Sequence, residues 1–387
     1  TGGNNTILGY TTGDAITTGA NNTCVGATAG GALTTGQLNV FIGNGAGDSL
    51  TTASQNVAVG RNALTACETT GQHVAIGDQA LASVSTGTNN VAVGSAAGFA
   101  IDTGSSNVCI GVSAGDSITS APSNVIVGTG AGAALSTGSG ENVVLGNSAG
   151  AAMTTGQQNI LIGDNAAAGA ALTGSLNIII GDNAAYNVTG ACTNNTVVGA
   201  GAASGLTTGD NNLILGNDAG ITGSPGGNIT TANHTISLGD ENIGTCNIQT
   251  DWTVASDARD KTDIEPVKMG LDFVNKLEPI TYRWDKRSKY VDRTDPDIDL
   301  NKVVHDGTHK EDWSDIGFLA QDVEVLEEEY GHKIGDKTNL TTNLSEDGKQ
   351  NGLTYSKFVP ILVKAIQELS DKNKVLEEQV KTLIEGT

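Results

Sequence analysis

Short apolar triplets, each opened by an asparagine and closed by a glycine, recur every 17 or 18 residues through the first 220 residues of the chain. The glycines are Gly9, Gly26, Gly43, Gly60, Gly77, Gly94, Gly111, Gly128, Gly146, Gly163, Gly181, Gly199 and Gly216. The asparagines stand four places earlier (Asn5, Asn22, Asn39, Asn56, Asn90 and onward), replaced once by His73. The residue just before the glycine is Leu, Val or Ile, and the one three before it is Thr, Val, Ile or Leu, so a strand over the triplet is apolar on both faces. One face can fill the inside of a coil, and the other calls for a separate cover. Alanine stands three places after the glycine (Ala29, Ala46, Ala63, Ala80, Ala97, Ala114), and a larger apolar residue seven after it (Ile16, Leu33, Leu50, Val84, Ile101, Leu135), which predicts a second strand-like segment. A polar corner, typically Thr-Thr-Gly (34–36, 154–156, 207–209), closes the unit.

A period this strict over thirteen copies means one structural unit stacked on itself. The expected fold is mainly β: a parallel β-solenoid with two short strands per turn, a rod about 60 Å long at roughly 4.8 Å per coil. Glycine at the corners permits positive φ, and asparagines stacked in successive coils are placed to form a ladder of side-chain amides. Burying the uncovered apolar face against further copies of the chain predicts an oligomer.

The period breaks at Ser224-Pro225-Gly226-Gly227 and returns once, irregularly, at Ile236-Ser237-Leu238-Gly239. Beyond Trp252 the pattern is that of an ordinary small domain. Spacing predicts a helix over 267–277 (Val267, Leu271, Val274, Leu277), a strand over 280–284, a polar exposed arm or loop over 286–312, and a helix over 317–330 (Phe318, Leu319, Val323, Leu326, Tyr330) ending at Gly331. Leu362, Ile366, Leu369, Asn373, Leu376, Val380 and Leu383 alternate at spacings of four and three, a coiled-coil seam in which Asn373 is the register-fixing polar member. A helix this short is marginal alone and suits a clamp on chains already held together. The expected organisation is a repeat shaft over 1–222, an irregular last coil and neck over 223–250, a small α+β domain over 251–361 and a coiled-coil helix over 362–387.

Charge separates the two halves. Residues 1–250 hold thirteen Asp and Glu and one basic residue, Arg61, whereas residues 251–387 hold nineteen Lys and Arg with twenty-nine acids. A net charge of −22 argues against nucleic acid as a partner and against anionic membrane surfaces. No apolar run is long enough to span a bilayer, so membrane insertion is not expected, and there is no signal-peptide pattern. The chain opens at Thr1 inside a repeat, which reads as the C-terminal part of a longer protein.

Little else suggests chemistry. Cys24, Cys67, Cys109, Cys192 and Cys246 lack metal-ligand or redox spacing, and those in repeat slots read as small buried hydrophobes. The Thr-rich corners vary too much for an ice-binding face, and the Gly-Gly-x-Gly-x-Asp calcium repeat is missing. His305 and His309 read as solvated, as do Asp78, Asp164 and Asp182, and no carboxylate pair argues for a glycan hydrolase. No cofactor and no metal is expected.

The repeated cores Asn56-Val57-Ala58-Val59-Gly60 and Asn90-Val91-Ala92-Val93-Gly94 resemble the head repeats of trimeric autotransporter adhesins. That resemblance covers 1–222 and implies left-handed parallel β-rolls wound three together. The repeat here is slightly longer than is usual in those heads, and no membrane barrel pattern follows it.

Ser256-Asp257-Ala258-Arg259-Asp260-Lys261-Thr262-Asp263-Ile264, then Gly317-Phe318-Leu319-Ala320-Gln321-Asp322-Val323, then the terminal heptads, are together similar to the intramolecular chaperone (peptidase S74) domain of phage tail fibres and tailspikes. The resemblance covers about 251–387. It implies a homotrimer in which the domain assembles three β-structured chains and cuts itself off between Ala255 and Ser256, with Ser256 as nucleophile and Lys261 as base. The peptidase would turn over once, on its own chain, with no activity on external substrates. Asp260 departs from the pattern, since many members carry an apolar residue there. A neutral lysine must take the serine proton, so a side chain titrating near 10.4 in water has to come down by roughly 3 pH units. Taken whole, the resemblance implies a virion tail fibre or tailspike that attaches to a host cell-surface receptor, a glycan or an outer-surface protein. The alternative is a cell-surface trimeric adhesin or stalk with the domain as a permanent trimerisation cap. An endoglycanase spike and a DNA-binding regulator sharing the domain are disfavoured.

Overall fold

The computed structural model describes residues 2–138, 140–293 and 298–386. Thr1 and part of the arm expected over 286–312 lie outside them. The chain forms two compact units, Thr1–Asp240 and Glu241–Thr387.

The first unit is a parallel β-solenoid. Fourteen three-residue strands, from β1 (Thr6–Leu8) to β14 (Ile236–Leu238), stack in strict sequence order into one parallel sheet. Each pairs with the next in unshifted register, as in Val57↔Val74, Ala58↔Ala75 and Val59↔Ile76. The central residue of each triplet points inward, and Cys24, Phe41, Ala58, Ile126 and Ile179 are fully buried. Its neighbours face outward and stay part-exposed, so Ile42, Ile76 and Ile110, each about 40% exposed, leave an apolar stripe along one face of the sheet. The core behind the strands is completed by Ala29, Ala46 and Ala63 and by Leu33, Leu50, Ile101 and Leu135, all fully buried.

Those latter residues are not on a second strand, contrary to the expectation from the alanine and leucine slots. The segment after each glycine is a run of turns. Its backbone enters the left-handed region twice per coil, at Thr28 (φ 57°) and Gly30 (φ 59°), for example. Local bonds such as Ala29 N–H to the Gly26 carbonyl and Leu33 N–H to the Gly30 carbonyl close it. The remaining amides still reach neighbouring coils: Thr28 N–H donates to Tyr10 and Gly30 N–H to Ala46. Apolar residues four apart meet the core here because the chain coils tightly, not because it is extended.

The two recurrent positions, glycine and asparagine, have separate causes. Each repeat glycine holds a positive φ, between +118° and +145°. A Cβ built on Gly26 would lie 2.5 Å from the Gly43 carbonyl oxygen of the next coil, so no larger residue fits without moving the stack. The asparagines are buried and form the expected ladder. Asn39 Nδ2 donates to Asn22 Oδ1 (3.1 Å) and to the Ala53 carbonyl (3.0 Å), while Asn39 N–H donates to the same Asn22 Oδ1 (3.0 Å). One side-chain amide therefore satisfies donors and acceptors on three consecutive coils, in a place water does not reach. The ladder steps by 18 residues at Asn124–Asn142, Asn159–Asn177 and Asn177–Asn195, and by 23 at its end, where Thr235 N–H donates to Asn212 Oδ1.

The second unit is α+β. Helix α1 (Leu271–Lys276) is shorter than the 267–277 spacing suggests, since Pro266 and Gly270 precede it and an extended segment leads in. Strand β15 (Ile280–Tyr282) pairs antiparallel with β16 (Asp315–Gly317), helix α2 spans Ala320–Glu329, and a hairpin of β17 (Thr342–Leu344) and β18 (Asn351–Leu353) precedes helix α3 (Phe358–Glu385). The core consists of Met269, Phe273, Val323, Phe358 and Ile361. The stretch expected as an exposed arm is tied down in its first part, whereas residues 301–312 are mostly exposed as expected. Leu300 and Ser288 are buried, Arg287 donates to the carbonyls of Leu300 and Lys349, and Lys349 Nζ donates to the Ile298 carbonyl. Along α3, Phe358, Ile361 and Ala365 are buried, whereas Leu362, Ile366, Leu369, Leu376, Val380 and Leu383 of the heptad seam lie exposed.

Candidate functional site

Residues 242–268 form an unbroken exposed stretch without strand or α-helix, and its one ordered turn carries Ser256 and Lys261. Asp257 N-caps a 3₁₀ turn over Ala258–Asp260: its carboxylate accepts the Arg259 N–H at 2.9 Å and the Arg259 guanidinium Nη2 at 2.6 Å. The guanidinium beside it holds the Asp257 carboxyl below the usual carboxylate range. Asp260 N–H returns to the Asp257 carbonyl and Lys261 N–H to the Ala258 carbonyl. The chain thereby doubles back, and Lys261 Nζ donates to Ser256 Oγ at 2.6 Å. The structure brings the nucleophile and base expected from the sequence together, with Ala255 immediately before them.

A hydroxyl within hydrogen-bond reach of an amine is the minimum geometry for a serine–lysine dyad. The amine must give up its own proton before it can take the serine's. Both side chains are open to water in this chain, and so are Ile243, Ile248, Trp252, Val254 and Ile264 along the same stretch of sequence.

The second sequence landmark lies elsewhere. Gly317 ends β16, Phe318 stacks on Phe358 with ring centroids 5.5 Å apart, the Phe318 N–H donates to Tyr355 Oη, and Val323 enters the core. This motif builds the scaffold rather than the dyad.

Two polar clusters were not anticipated from the sequence. Glu327 on α2 is fully buried, and its carboxylate accepts the N–H and hydroxyl of both Thr341 and Thr342. Burial pushes its pKa up, but these bonds outweigh that and leave it lowered. Glu368 of α3 accepts the Leu271 N–H at 2.8 Å and so caps α1 from outside. Neither pairing has a local sequence signal, because partners 14 or 15 residues apart in one case and 97 in the other fall outside any helical or strand period.

Other candidates stay apart from chemistry. Cys24, Cys67, Cys109 and Cys192 are buried free thiols, and burial pushes Cys109 up to about 12. His305 Nδ1 meets Asp285 at 3.0 Å, and His309 sits edge-on to Tyr290. Among the described residues no cluster of three or more His, Cys, Asp or Glu could hold a metal ion, and no helix is long and apolar enough to cross a membrane.

In comparison with known proteins, residues 256–332 match the peptidase S74 family, described as the chaperone of endosialidase. The match begins at Ser256 and follows the β-solenoid in the chain. No curated protein and no solved structure matches the chain.

Proposed function

We propose that this chain is a segment of a trimeric phage tail fibre or tailspike. Its solenoid forms the shaft that presents a surface to a host receptor, and its C-terminal domain assembles three chains and then cuts the Ala255–Ser256 bond. The observation that carries the reading is the 2.6 Å contact of Lys261 Nζ with Ser256 Oγ at the first residue of the matched region. The apolar stripe on the solenoid and the bare seam of α3 support assembly, since both are surfaces that gain by being covered.

The chemistry balances within one chain. Ser256 Oγ attacks the Ala255 carbonyl carbon as neutral Lys261 takes the hydroxyl proton. The tetrahedral adduct then breaks its C–N bond, and the Ser256 nitrogen leaves as an amine carrying that proton. Water hydrolyses the resulting Ala255–Ser256 ester to a carboxyl group on Ala255 and a free hydroxyl on Ser256. Lysine reaches the neutral form by desolvation or by nearby positive charge, and assembly of three copies supplies both at an otherwise exposed site. Cleavage then reports correct assembly.

A second reading, a cell-surface adhesin or stalk with the domain as a permanent cap, draws support from Asp260, which stands where many chains with this motif carry an apolar residue. Intact mass and denaturing gels of the wild type, Ser256→Ala and Lys261→Ala, with light scattering for oligomeric state, separate the two. Scission at Ala255–Ser256 in the wild type alone, with all three proteins trimeric, supports the first. An uncut wild-type trimer leaves only the cap.

A further inference from the structure

We infer that Asp257 is a positioning residue for the proposed cleavage, acting by capping the turn that delivers Lys261 to Ser256. The inference rests on the autoproteolytic reading above. Nucleophile and base stand five positions apart, and an extended chain would set their backbones roughly 17 Å apart. The Ala258–Asp260 turn closes that gap, and three donors converge on the carboxylate that starts it: Arg259 N–H (2.9 Å), Nε (3.1 Å) and Nη2 (2.6 Å). Buried contacts that could hold the turn otherwise are missing, since every residue of 256–261 is exposed. The turn's two backbone bonds, Asp260 N–H to Asp257 and Lys261 N–H to Ala258, return little against the dihedrals that a first turn must fix. The cap therefore sets how much of the population has Lys261 in reach of Ser256.

The role separates into two testable parts. Asparagine keeps an oxygen to accept the Arg259 N–H but loses the ion pair, which is worth little at an exposed site. Alanine loses both. Pulse–chase of the full chain, reading the fraction cut in the trimeric pool, is expected to show Asp257→Ala cutting about five- to tenfold more slowly than the wild type, with Asp257→Asn restoring most of the rate. Rate against pH should keep the same midpoint in wild type and Asp257→Asn, with only the plateau lowered. Equal rates for wild type and Asp257→Ala, or Asp257→Asn as slow as alanine, overturn the capping role while leaving the dyad intact. A displaced pH midpoint in Asp257→Asn also overturns it, because the carboxylate would then be acting on the lysine's charge. A wild type that never cuts overturns the autoproteolytic reading and this inference together.

Discussion

His73 is the one imidazole in the amide ladder, and it should make the solenoid sensitive to mild acid. The ring is fully buried; the His73 N–H donates to Asn56 Oδ1 (3.0 Å), and Nδ1 faces the Asn90 N–H (3.4 Å). Around the other nitrogen are Thr70 Oγ1 at 3.5 Å and, beyond it, the buried Cys67 thiol. Burial pushes the imidazole down from 6.5 to about 4, against the smaller raising effect of hydrogen bonds with the Gly87 and Asn90 backbone. The folded chain thus refuses a proton that the unfolded chain accepts between those values. Stability from this residue is complete above pH 6.5, falls as pH drops toward 4, and is flat below that. At 1.36 kcal/mol per pH unit, the loss comes to about 3 kcal/mol per chain. His73→Asn removes the titrating group and gives Asn90 Nδ2 back a side-chain oxygen to donate to. Urea midpoints of both proteins at pH 7.5, 5.5 and 4.5, followed by circular dichroism, should diverge as pH falls, with the variant the steadier. Taking the difference cancels the carboxylates common to both. Parallel curves, or a folded-state imidazole titrating near 6.5 by NMR, would refute the reasoning.

Two further perturbations test other parts of the structure. Gly26→Ala places a methyl against the Gly43 carbonyl at a φ of +130°, and should cost about 2 kcal/mol or more by urea unfolding, whereas Gly348→Ala, also at positive φ but in open space, should cost about 1 kcal/mol. Glu327→Gln sets an amide donor among the hydroxyls and N–H groups of Thr341 and Thr342, and should destabilise the second unit by about 1–3 kcal/mol. Because the Glu327 carboxyl is lowered on folding, its contribution is present above the unfolded pKa and lost as pH falls through the folded one, so the wild type and variant should converge in acid.

The solenoid was legible because each coil repeats the same demands: an amide that must bond three coils, a glycine whose Cβ would strike the next coil, and a central apolar side chain turned inward. What spacing could not distinguish was strand from tight turn over the alanine and leucine slots. Both put every fourth residue inward, and the deciding left-handed backbone at Thr28 falls on a residue type with no preference for it. In the second unit, Ser256 and Lys261 could be named, but the pairing of Asp257 with Arg259 emerged only from the turn that places them on each other. The Glu327 cluster and the cap from Glu368 to Leu271 join residues far apart in sequence, where periodicity carries no information.

A stack of near-identical coils has almost the symmetry of a crystal row: moving it by one coil, about 4.8 Å, brings like onto like. Two such rods laid side by side would find many alignments of similar energy. Imidazole in place of amide at His73, the 18-residue steps at Asn142, Asn177 and Asn195, and the 23-residue step into Thr235 are defects in that row. In the proposed assembly the changes of coil length would act as vernier marks, because only one alignment superimposes all of them. A fibre assembled from such rods would carry its own phase, and evening out the irregular coils would lengthen the list of ways to assemble it wrongly.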